Sequence, residues 1–261
     1  MNRSPLRLFD AHFHVIDRRF PLVPNRGYLP DDFGCADYLA QARPLGVVGG
    51  AVVSGSFQAC DQGYLRDALA RLGPAYVGVT QLPPTVSDRE ILELDAAGVR
   101  AVRCNLFRGG STDLAGLDRL ARRVHELAGW HVELYVDSRE LGGLHARLAA
   151  LPALCIDHLG LYRDGLPDLL RLVERGARVK ATGFGRGDLD IPATLRAVCA
   201  LAPEALLFGT DLPSTRAPRP FEPADLELVV EALGRQLASR VLFDNAVALY
   251  RPAGLGVEEA R

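Results

Sequence analysis

Eight apolar runs of strand length punctuate this chain, and segments with helical spacing lie between them. The runs are Leu6–His14, Val48–Ser54, Tyr76–Leu82, Val99–Leu106, His131–Val136, Leu154–His158, Arg178–Thr182 and Leu206–Leu212. Most are continuously apolar, the pattern of parallel strands buried on both faces. Strand–helix alternation gives a parallel sheet, because each strand needs a crossover to reach the next. A βα unit takes about 30 residues, so eight units nearly fill the 261 residues. The expected fold class is therefore α/β, a single (β/α)8 TIM barrel over residues 1–261, in preference to an open doubly wound sheet.

Local signals punctuate the helices. Ser87-Asp88-Arg89-Glu90 is a capping box, in which serine and glutamate satisfy orphan backbone N–H groups. The helix it opens should stop at Gly98, just past the periodic run. Leu114–Leu127, Leu166–Val173 and Pro223–Leu237 repeat apolar residues at helical spacing. Pro192 suits the first turn of another helix. One connection is long. Asp17–Leu45 has room for a helix at Ala36–Ala42, but residues 19–33 show no periodicity. Long loops in compact domains are typically functional lids or disordered, and a lid at about 17–45 would carry Tyr28.

Composition removes several classes of function. The chain is 48% hydrophobic with a net charge of −2, which excludes disorder and argues against a general nucleic-acid binder. No apolar run is long enough to span a bilayer. Met1-Asn2-Arg3-Ser4-Pro5 leads quickly into polar chemistry, without a signal-peptide core. The five cysteines (Cys35, Cys60, Cys104, Cys155, Cys199) are scattered, and none forms a C-x-x-C pair. They read as reduced thiols in a cytoplasm. The sequence leaves open whether the chain forms a homo-oligomer.

The active site of such a barrel lies at the C-terminal ends of its strands. Strand 1 ends Phe9-Asp10-Ala11-His12-Phe13-His14. Two histidines two apart on a strand share one side, which suits a metal site or an electrophilic pocket. Hydrogen-bonded core histidines are the bland alternative. Strand 6 ends at Asp157-His158, and strand 8 runs into Gly209-Thr210-Asp211. His12, His14, His158 and Asp211 converge if the barrel is right, and a carboxylate beside imidazoles can deprotonate a water. Asp211 alone could be only a helix cap; four such residues together are more specific. Strand 4 carries Arg103, then Asn105 and Arg108. Lys180, the only lysine, and Thr182 belong to strand 7, ahead of Gly183-Phe184-Gly185-Arg186-Gly187. Cations around one mouth point to a small anionic substrate, since the arginine fork fits a carboxylate. Solvated rim charges are the alternative, above all for Arg163 and Arg216.

The motifs FDAHFHVID, GVRAVRCN, IDHLG, VKATG, LLFGTDLP and LFDNAVALY together resemble the amidohydrolase superfamily. They are most similar to its branch of 2-pyrone-4,6-dicarboxylate lactonase and related sugar lactonases. The resemblance implies a hydrolase that opens a lactone or ester of a small carboxylated substrate. It implies catalytic roles for His12, His14, His158 and Asp211, with Asp211 activating water. Arg103, Arg108, Tyr135 and Arg186 fall near positions that bind substrate carboxylates. Lys180 joins these cations, and Tyr28 lies in the covering loop. Metal-rich relatives carry a bridging Lys or Glu on strand 4 and a His on strand 5. Arg103 and Tyr135 stand there, so at most one divalent metal, zinc or manganese, is expected on His12, His14, His158 and Asp211. A metal-free site is equally open. Two other readings remain: a mononuclear metal-dependent amidohydrolase or aromatic-acid decarboxylase, and a ligand-binding barrel without catalysis.

Overall fold

The computed structural model describes residues 6–109 and 114–255; the reading of Met1–Pro5 lies outside them. Eight strands appear where the apolar runs predict them. They are β1 (Leu8–Phe13), β2 (Val47–Val53), β3 (Tyr76–Thr80), β4 (Val99–Asn105), β5 (His131–Tyr135), β6 (Leu154–Ile156), β7 (Arg178–Ala181) and β8 (Leu206–Phe208). They pair in sequence order, each parallel to the next. The ring is completed just past the strand ends. Asp211 N–H donates to the His12 carbonyl at 2.7 Å, and His14 N–H to the Leu212 carbonyl at 2.8 Å. The architecture is a (β/α)8 barrel.

Helices alternate with the strands: α1 (Cys35–Ala42), α2 (Gly63–Leu72), α3 (Asp88–Ala96), α4 (Leu114–Ala128), α5 (Leu141–Leu148), α6 (Leu166–Glu174), α7 (Ile191–Leu201) and α8 (Ala224–Ser239). Local chemistry sets their ends. The Ser87 side chain accepts from Glu90 N–H at 3.1 Å, and Gly98 follows α3 with φ 98°, a conformation that glycine adopts cheaply. Asp190 caps α7 through Ala193 N–H at 3.0 Å, with Pro192 in the first turn.

Two apolar layers result. One lies between strands and helices. The other fills the barrel with small and branched side chains, among them Ala11, Ala51, Val53, Val79, Ala101 and Leu207. A last helix, α9 (Asn245–Tyr250), plugs the bottom. Tyr250 stacks on Phe9 with ring centroids 5.7 Å apart, and Phe243 lies beneath the Arg7 guanidinium. The opposite end, where the strands finish, remains as the mouth. Among the described residues no helix is long and apolar enough to cross a membrane.

Candidate active site

The chain bends sharply where the site is built. The β1–β2 pairing shifts register between Asp10 and Phe13. Ala11 belongs to the barrel interior and Phe13 to the outer layer, so the shift turns His12 inward above Ala11. Such irregularities commonly re-aim side chains beside active sites. His158 and Asp211 have φ of 53° and 64°. Few non-glycine residues adopt this left-handed region, and those that do cluster at functional sites. Gly183 has φ +63°, and a Cβ there would lie 2.7 Å from His158 Nδ1. Asp10 ties the first strand to the last. It accepts from Thr210 N–H (2.8 Å), Thr210 Oγ1 (2.6 Å), Tyr38 Oη (3.1 Å) and His12 N–H (3.2 Å). Burial pushes Asp10 up to about 6, although these hydrogen bonds favour its ionised form.

Three buried polar atoms around the floor have no protein partner. His12 Nε2, His158 Nδ1 and Asp211 Oδ1 are buried and make no hydrogen bond, and the three residues place ligand atoms within 4.8 Å of one another. Buried polar atoms are normally satisfied, so this gap suits a water, a substrate oxygen or one cation. His14 is arranged differently. Its Nδ1 lies 2.7 Å from the Val53 carbonyl, which only accepts, so the ring proton sits on Nδ1. Its Nε2 approaches Asp211 Oδ1 at 3.8 Å but does not join the compact trio. Burial, above all, lowers the pKa of His12 and holds those of His14 and His158 well below the usual imidazole range.

Three buried carboxylates each have a cation, whereas Asp10 is held by neutral donors alone. Arg186 places Nε at 2.7 Å and Nη2 at 2.6 Å from Asp211 Oδ2. Arg103 Nε donates to Asp157 Oδ2 at 2.9 Å. Lys180 Nζ lies 2.5 Å from Glu133 Oε2. Against the cost of burial, Arg103 and Lys180 hold Asp157 well below the usual carboxylate range. Lys180 similarly brings Glu133 down to about 2.

Above this floor a cleft of about 380 Å³ opens, its mouth included. His14, His158, Arg103, Arg108, Tyr135, Arg186 and Tyr28 line it. His12 and Asp211 are buried behind His14, His158 and Arg186, which they touch. Lys180, read from sequence as facing the substrate, is fully buried beneath the cleft and does not line it. Arg163 lies away from the cleft, bonded to Asp188. Arg216 does line it. Its guanidinium stacks 4.2 Å above the Tyr28 ring and bonds to the side chain and carbonyl of Asn25, pinning the long loop. Arg108 and Arg216 have no carboxylate partner among the described residues.

Sequence reasoning passed over Asp10, Asp157 and Glu133. Asp10 and Asp157 each sit within two residues of a predicted histidine. Glu133 stands two before Tyr135, on the same inward side of β5. The signal was a charged residue inside an apolar run, which a strand tolerates only with a buried partner.

Comparisons with known proteins agree with this fold. The amidohydrolase family profile matches residues 9–251. A 2-pyrone-4,6-dicarboxylate hydrolase of Comamonas testosteroni is 28% identical, over 96% of this chain and 92% of that protein. A D-galactarolactone isomerase of Agrobacterium fabrum is 27% identical, over 95% and 92%. An apo crystal structure from Agrobacterium tumefaciens superposes with a TM-score of 0.85 and 26% identity, over 96% of this chain and 97% of that one. With nearly its whole length matched, from the first strand to the closing helix, this chain belongs to the amidohydrolase family.

Proposed function

We propose that the protein is a lactonase, adding water to the ring ester of a small lactone that carries acid groups. The observation that carries this reading is the unpartnered Asp211 Oδ1, set among histidines under a cleft with surplus arginine. Asp211 takes a proton from the attacking water. His12 and His158 polarise the carbonyl and stabilise the oxyanion that develops on it, while His14, its proton turned to the Val53 carbonyl, presents Nε2 as an acceptor. Arg108 and Arg216 bind the substrate's carboxylates at the mouth, Arg103 and Arg186 line the cleft below them, and fixing the ring in this way lowers the entropic part of the barrier. Tyr135 and Tyr28 shape the pocket. The donor set His12, His158 and Asp211, with His14 beside it, also fits one zinc or manganese ion, which when bound would supply Lewis-acid polarisation.

The similarity to a pyrone dicarboxylate hydrolase and to a galactarolactone isomerase supports a lactone as substrate. The surplus of arginine at the mouth supports an anionic small molecule over nucleic acid or a membrane. Five cysteines without a disulfide support a cytoplasmic location. We read residues 1–261 as one barrel unit with its lid at about 17–45.

The test is incubation of the purified protein with 2-pyrone-4,6-dicarboxylate, and separately with an aldarolactone, in ¹⁸O-labelled water. Ring-opened acid carrying one ¹⁸O is expected from at least one of them. An isomeric lactone without label, release of CO2, or no conversion of either would overturn the reading.

A further inference from the structure

Beneath the cleft lies a second group of ligating atoms, and a cation of the chain itself fills it. His12, Glu133 and Asp157 bring ring nitrogen and carboxylate oxygens within 4.8 Å of one another. Lys180 Nζ sits among them, 2.5 Å from Glu133 Oε2, 3.3 Å from His12 Nδ1 and 3.6 Å from Asp157 Oδ1. All four side chains are fully buried.

An ammonium group has three N–H donors and no lone pair. Whatever nitrogen it bonds must accept. Asp157 Oδ1 competes for the same ring nitrogen from 3.5 Å and would draw the imidazole proton toward itself. At that distance the contact is at the outer limit of hydrogen bonding, the same oxygen also faces Lys180 Nζ at 3.6 Å, and the other carboxylate oxygen is held by Arg103. Lys180 Nζ, at 3.3 Å, is the nearer partner of His12 Nδ1.

We propose that Lys180 is a positioning residue whose ammonium, by donating to Nδ1, keeps the His12 proton on Nε2. His12 then meets the floor of the cleft as a hydrogen-bond donor. His14, whose Nδ1 donates to the Val53 carbonyl, meets it with a lone pair. Two histidines that look equivalent in sequence are thus wired in opposite senses, one by a lysine and the other by a backbone carbonyl. A protonated Nε2 is no metal ligand, so a cation entering the trio must displace that proton. The consequence for turnover rests on the lactonase reading, since the developing oxyanion is what the donor serves. The proton's position does not rest on it.

The test is long-range ¹H–¹⁵N correlation on protein labelled at its histidines, with His12 assigned by loss of its signals in His12→Asn. In the wild-type protein His12 should carry its proton on Nε2. The charge-balanced double variant Lys180→Met, Glu133→Gln should move it to Nδ1, toward Asp157. On a lactone substrate the same variant should lose about 100-fold in kcat with KM within about twofold, as for an interaction made mainly in the transition state. A proton on Nδ1 in the wild type, or no change of tautomer in the double variant, overturns the proposal. If the wild type shows the expected tautomer yet opens no lactone, the functional reading alone has failed.

Discussion

Gly209 packs directly against His12, and its replacement by alanine separates packing from site alignment. A Cβ there would lie 2.7 Å from both the backbone N and the Cβ of His12. Ordinary contact begins at 3.4 Å, so the segments must part by about 0.7 Å. Neither yields easily, because Asp211 N–H to His12 O (2.7 Å) and the bonds from Asp10 to Thr210 hold them together. Overpacking of this kind costs about 1–3 kcal/mol. For a chain of this size that lowers Tm by roughly 2–6 °C. Because the movement falls on His12, turnover should drop by about 10- to 100-fold. Gly73→Ala is the control. Gly73 has φ +87°, and an added methyl would find nothing within 4 Å, so alanine there is strained but touches nothing, at about 1–3 kcal/mol. Thermal unfolding and steady-state kinetics should show both variants destabilised and only Gly209→Ala slow. A Gly209→Ala protein melting within about 1 °C of wild type, or turning over at the wild-type rate, would refute the reasoning.

Three further perturbations bear on the site. Asp211→Asn keeps an oxygen for Arg186 but loses the base, so kcat should fall by about 10²–10⁴-fold with the circular dichroism spectrum unchanged; near-normal turnover would remove Asp211 from that role. Arg216→Met removes a cation without a carboxylate partner, and the lost charge-assisted contact should raise KM by about 10- to 100-fold, read directly from saturation curves. His131 is buried, and burial lowers its pKa from 6.5, against the pull of Glu133. The unfolded chain therefore takes up a proton near 6.5 that the folded chain refuses. Its contribution is fully present above 6.5 and declines as pH falls, at up to about 1.4 kcal/mol per pH unit. Urea midpoints measured at about pH 7.5 and about pH 5.5 should fall less for His131→Gln than for wild type.

The barrel was legible because its two periodicities come from burial, and burial is written in every strand and helix. All eight strands fall inside or against their apolar runs. They stop short mainly at the mouth, where Asp157 to Gly160 turn instead of extending. The helices α2 and α5 carry weaker signals. Gln62 gives α2 no side-chain cap, and Gly142-Gly143 dilutes the apolar stripe of α5. Histidines and Asp211 stood out because polar types at strand ends are rare without a task. The role of Lys180 did not, because parity says only that a side chain points inward. Whether it reaches the cleft depends on its height in the barrel, and Lys180 stands two residues below Thr182, level with Glu133. The pairing of Arg186 with Asp211 was equally hidden, since 25 residues separate them and only the β7–β8 crossover brings them together.

Charge is distributed by depth, and this bears on where substrate binding energy enters. Asp157, Glu133 and Asp211 are matched by Arg103, Lys180 and Arg186. The floor is thus balanced before any substrate arrives, as a buried ionic layer must be. Arg108 and Arg216 are the surplus, at the mouth, and they repel. Burial first, then Arg108, lowers the pKa of Arg216. An anion relieves that repulsion some distance from the reacting carbonyl, and remote binding of this kind is what holds a reacting group in place. The acid groups of the substrate therefore belong at the mouth and the ring ester at the floor. A neutral lactone of the same ring presents the same carbonyl to Asp211 but gives these arginines nothing to bind. It should lose about 100-fold or more in kcat/KM. Arg216→Met, costly for the acidic lactone, should cost the neutral one almost nothing, and equal losses on both would place Arg216 in the lid's architecture and outside recognition.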